Sequence, residues 1–113
     1  MQEVFNLFES MGYPYFRQGS LTDETYPTSF FTFWNYATPN LSFYDNQERR
    51  YVERIQVCFY TNDANSIYSV IDLFIAEAKK VGFIVSGRAY DVPADKENYY
   101  GRLVNIDIVH KED

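Results

Sequence analysis

"YVERIQVCFYTNDANSIYSVIDLFIAEAKKVG", residues 51–82, changes its hydrophobic period halfway along. From Tyr51 to Tyr60 the side chains alternate: Ile55, Val57 and Phe59 share one face of a strand, while Arg54, Gln56 and Cys58 share the other. After "TNDANS", which offers several helix N-caps, Ile67, Val70, Ile71, Phe74, Ala78 and Val81 recur at three- and four-residue steps. Lys79 and Lys80 suit the negative end of a helix dipole, and Gly82 stops the helix. A half-buried strand feeding an amphipathic helix predicts a helix lying on a sheet.

The segments on either side extend that reading. Upstream, Val4, Phe5, Leu7, Phe8 and Met11 form a helical stripe that ends at Gly12, and "YPYFRQGSL" at 13–21 reads as extended because Pro14 forbids helix continuation. Residues 29–36 read as a strand with apolar groups on both faces, Phe31 and Phe33 on one and Phe30, Trp34 and Tyr36 on the other. "TPN" at 38–40 is turn chemistry, with "LSFYDN" as a short returning strand. Downstream, "FIVSGRAY" at 83–90 is a strand, "DVPADKEN" a polar excursion, and 99–109 a last strand in which Val104, Ile106 and Ile108 alternate with Asn105 and Asp107. The predicted fold class is α+β: a mostly antiparallel sheet with the N-terminal and central helices packed on one face, as one domain over residues 1–113.

Composition narrows the function classes. Hydrophobic residues are 46% and charged residues 23% of the 113, which is globular, and no apolar run has membrane-spanning length. The first ten residues lack the basic and apolar regions of a signal peptide, and one cysteine precludes an intrachain disulfide, so a reducing compartment is expected. Sixteen acids against ten bases give a net charge of −6, contrary to a surface built to neutralise phosphates.

Chemical signatures are sparse. His110 is the sole histidine and reads as a surface group; Cys58 has no base beside it and reads as a small hydrophobe within a strand. Such a pair does not supply the usual zinc ligand set, and neither phosphate-binding glycine motif is present. The acids Asp23, Glu24, Asp45, Glu48, Glu53, Asp91, Asp95 and Glu97 are scattered; any two could meet in space as an acid/base pair, but they read as solvated loop acids. We therefore expect no catalytic residues, no cofactor and no metal.

The surplus is aromatic, at 19%, with eleven Tyr and ten Phe. If helices cover one face of the sheet, the other should be polar in a monomer, yet it would carry Phe30, Trp34 and Tyr36, or else Phe31 and Phe33, depending on register. Such a patch marks an interface unless the first helix wraps round to cover it. The basic cluster Arg49, Arg50 and Arg54 reads as a solvated strand entry or as part of an ion-paired contact between chains. The candidate interface residues are Phe30, Trp34, Tyr36, Phe43, Tyr44, Arg49, Arg50 and Arg54.

Taken in order, "YPYFRQGSL", "YPTSFFTFWNY", "FYDNQERRYVERIQVCFYTND", "SIYSVIDLFIAEAKKVGF" and "SGRAYDVPADKENYYGRLVNIDIVHK" resemble the tail-terminator, or tail-completion, proteins of long-tailed bacteriophages and prophages, over about residues 3–110. The resemblance implies a ring, hexameric in that family, at the head-proximal end of the tail tube. There it would stop tube polymerisation and meet the head connector or stopper protein. It also implies a place in the virion tail, with assembly in the bacterial cytoplasm, no membrane, and DNA passing through the lumen without specific binding. The three arginines depart from what a DNA-facing lumen needs. The alternatives are a head-closure or adaptor protein of the same joint, and a cytosolic α+β ligand-binding domain whose aromatics converge on a pocket of a few hundred Å³.

Overall fold

Val4, Leu7 and Phe8 share one side of the first helix, α1 (Gln2–Met11), and all are buried. The structure, a computed structural model, describes residues 1–20, 27–38 and 49–112. α1 stops where Gly12 takes φ +81°, a left-handed conformation that lets its N–H reach Phe8 O and Glu9 O. The chain then runs as the short strand β1 (Tyr15–Arg17), parallel to β2 (Ser29–Ala37), with Tyr15 opposite Phe31. β3 (Arg49–Thr61) returns antiparallel to β2.

The second helix, α2 (Ile67–Lys80), buries Ile67, Val70, Ile71, Phe74 and Ala78, as the three- and four-residue spacing predicts. Val81 departs from that expectation. It is the C-cap residue and is exposed, because the helix has already ended. The N–H of Gly82 returns to Lys79 O and that of Phe83 to Ala78 O, a Schellman closure that tucks Phe83 into the core against the last turn.

β4 (Ile84–Val92) and β5 (Tyr100–Glu112) complete the sheet in the order β1-β2-β3-β5-β4. β1 and β2 are parallel, and the other pairings are antiparallel. Both helices pack on the face formed by Phe31, Ile55, Val57, Phe59, Val104 and Ile106. Phe8 stacks on Phe31 and Phe74 at centroid distances of 4.8 and 5.7 Å, so its ring joins both helices to the sheet. α1 does not wrap to the far side.

A staple holds α2 to the strands. Arg102 Nη1 donates to Asp91 Oδ1 at 2.7 Å and its guanidinium lies 4.7 Å from the Tyr68 ring centre, while Tyr68 OH donates to Asp91 Oδ2 at 3.2 Å. β3 and β5 pair over their whole lengths, from Thr61↔Tyr100 to Arg49↔Glu112. They outrun their neighbours, since β2 pairing ends at Ala37↔Arg54 and β4 pairing begins at Ile84↔Asp107. Among the described residues the result is a two-stranded ribbon extending from the body of the sheet.

Candidate assembly surface

Cross-strand partners share a face, so the strand register dictates what lies opposite the helices. The first row is Phe30, Tyr60, Gly101 and Val92; the second is Thr32, Cys58, Leu103 and Tyr90. Next come Trp34, Gln56, Asn105 and Ser86, then Arg54, Asp107 and Ile84. Along the ribbon Val52 pairs with Val109 and Arg50 with Lys111.

One end of this face is closed by the chain itself. Phe16, Tyr60 and Tyr99 pack round Phe30, which is 2% exposed, and Tyr99 OH anchors the 93–99 loop by donating to Pro27 O at 2.7 Å. Phe30 is therefore a core residue of the free chain and cannot anchor a partner as the sequence suggested. Alternation grouped Phe30 with Trp34 but left open which set faces the helices, and it carries no information on the loop that covers Phe30. The cavity beside these rings, lined also by Arg17, Thr32 and Asp95, holds about 90 Å³. That is well below the few hundred Å³ of a small-molecule site.

The rest of the face is uncovered by either helix. Trp34 is 44% exposed and Tyr36, in the β2 bulge, 41%; Ile84, Tyr90 and Val109 are also exposed. Among them sits a polar strip. Arg54 Nε lies 4.0 Å from Asp107 Oδ2, and the Oδ1 atoms of Asp107 and Asn105 are buried without hydrogen-bond partners. Arg50 is exposed on the ribbon. Phe43 and Tyr44, the proposed returning strand at 41–46, and the side chain of Arg49 lie outside the described residues.

Groups with chemical potential are occupied structurally. Cys58 is buried, and burial pushes its thiol up, against hydrogen bonds with Tyr60, Gln56 and Thr32 that act the other way. His110 departs from the bare surface histidine expected: it stacks on Tyr51 with ring centres 4.8 Å apart. Its Nε2 is 2.6 Å from Glu53 Oε1, out of line for a hydrogen bond. Among the described residues no three His, Cys, Asp or Glu side chains gather as a metal site, and no helix is long and apolar enough to cross a membrane. Asp23, Glu24, Asp45 and Glu48 fall outside them.

A second surface lies on the helix side. Leu7 and Phe83 form the floor of a groove of about 380 Å³ between α1, α2 and the start of β4, rimmed by Glu3, Asn6, Ser10, Glu77 and exposed Val81. A hydrogen bond from the backbone at the helix start holds Glu3 below the usual glutamate range. Sequence reading missed this groove because its lining comes from separate elements whose packing no local pattern reports. Comparison with protein-family models gives no match to the chain, and comparison with curated proteins gives none either.

Proposed function

We propose that the protein is a structural subunit of virion assembly, of the tail-terminator type: a ring at the head-proximal end of a phage tail tube that stops polymerisation and joins the head connector. The observation that carries this reading is the sheet face opposite the helices, where Trp34, Tyr36, Ile84, Tyr90 and Val109 stand exposed round a polar strip. A patch of this kind costs solubility in a monomer and is stabilising only once a partner removes it from water. The order of motifs along the chain and the acidity of the whole, at −6, support the same reading.

The head-closure reading differs in where the ring sits, and the same experiment separates the two. The gene is inactivated in its phage or prophage and the particles are viewed by electron microscopy. A terminator leaves overlong tails detached from heads. A head-closure protein leaves tails of normal length beside heads that have lost their DNA. Normal infectious particles would remove both. The ligand-binding alternative expects aromatics converging on a pocket of a few hundred Å³. Among the described residues, the rings round Phe30 line a cavity of about 90 Å³, and the groove of about 380 Å³ has Phe83 as its one aromatic lining residue.

A further inference from the structure

The uncovered face is basic within an acidic protein. Arg17 lines a hollow beside Trp34, Arg54 is exposed on the face and Arg50 at its ribbon end; the acid beside Arg54 in the strip is Asp107. A two-fold contact would lay this patch on its own copy and bring like charges together, which opposes association. The acceptor must then be a different surface of the neighbouring copy, apolar at its centre and acidic at its rim. The groove between α1 and α2 has that character, with Leu7, Phe83 and Val81 beside Glu77 and beside Glu3, whose carboxylate also accepts from the N-terminal ammonium at 3.3 Å. Glu77 forms an exposed i,i+3 pair with Lys80 at 3.1 Å, which is worth little and is easily exchanged for another partner.

We infer that copies of this chain associate head to tail, the Trp34–Tyr36–Arg54 face of one seating in the α1/α2 groove of the next, with Arg54 facing Glu77. The two surfaces lie on opposite sides of the sheet, so the contact repeats front to back. Repetition by rotation closes a ring, and repetition without closure makes a filament. Trp34 is the anchor, because it offers a large apolar area on the face and its indole N–H tolerates a wet rim. The inference rests on the assembly reading and names the contact that reading requires.

Charge reversal in trans tests it. Arg54→Glu and Glu77→Arg are prepared separately, with thermal unfolding checking that each is folded, and Arg54→Gln stands in should the glutamate beside Asp107 unfold the chain. Sedimentation velocity at low ionic strength is expected to show the unaltered chain associating and each reversed variant weakened on the order of tenfold or more. An equimolar mixture of the two reversed variants should associate again. In an alternating array the altered face of one variant meets the altered groove of the other, and the unaltered face meets the unaltered groove, so each contact again joins opposite charges. The double variant should associate alone. A reversed variant that associates like the parent overturns this contact while leaving assembly standing, as does a mixture of folded variants that fails to recover. A parent chain that stays monomeric at every salt concentration, with tail tubes present, removes the inference and the assembly reading together.

Discussion

Phe30 and Trp34 point to the same face of β2, yet only Trp34 is left for another molecule to cover. The difference is testable by truncation. Trp34→Ala removes a ring that is half in water and should leave the melting temperature nearly unchanged, while self-association and tail capping fall. Phe74→Ala empties a fully buried site on α2, where the ring packs against Phe8 of α1 and Phe31 of β2, and should cost about 3–5 kcal/mol, a large part of the stability of a domain this size. A Trp34 variant that melts as low as the Phe74 variant would place the indole in the core. Cys58 offers a second residue-scale test. Its buried thiol should resist alkylation in the native chain and react at once in denaturant. Because its folded value is raised, the neutral thiol favours the fold: that stability is complete below the thiol's ordinary value and is lost as pH climbs through it toward the folded one. Unfolding curves at rising alkaline pH should show the decline, and Cys58→Ala should reduce it.

The elements differ in how much of their placement a single chain segment can specify. α2 is legible because its period, its terminal lysines and its glycine stop all lie within one stretch, and only Val81, one residue past the last turn, falls wrongly in the buried stripe. The strands are legible as strands. Their neighbours are not: nothing in "FIVSGRAY" says that β4 pairs with β5 and never with β3, or that β1 runs parallel to β2. The alternation likewise predicts an uncovered aromatic face but not that the 93–99 loop would seal one end of it over Phe30. Two changes probe that arrangement. At Gly101 an added Cβ would sit 2.7 Å from Tyr60 Cε1 and 2.9 Å from Val92 O, so Gly101→Ala forces apart the aromatic lid or the β4–β5 pairing. It should cost about 1–3 kcal/mol, read as a lower denaturant midpoint. Asp91→Ala strips Arg102 of its carboxylate partner and Tyr68 of its acceptor. Faster amide exchange in β4, with the centre of β3 still protected, is the expected result; uniform loss across the sheet would show that the staple supports the whole fold.

At the scale of the whole molecule the described chain is elongated, 51 Å along its principal axis against 26 and 22 Å across. If the chain is the assembly subunit proposed above, it presents one broad side of its sheet while its helices occupy the other. The sheet order carries a consequence for how such a subunit is made. β5 follows β4 in the chain but lies inside it in the sheet, between β4 and β3. While the ribosome is still building residues 100–112, β4 has no strand to pair with and β3 has one bare edge, both rich in apolar side chains. Pairing between distant segments is slow, and an unpaired edge recruits other unpaired edges. A chain cut after Tyr99 should therefore emerge insoluble, with α2 present by circular dichroism in detergent but no cooperative melt. Supplying residues 100–112 as a separate peptide during refolding should recover soluble protein. If the cut chain instead melts cooperatively without the peptide, β5 is a late addition to an already finished sheet. In this strand order it is the keystone, set after its neighbours and bearing on both sides, and a cell making many copies at once must keep the unfinished ones apart.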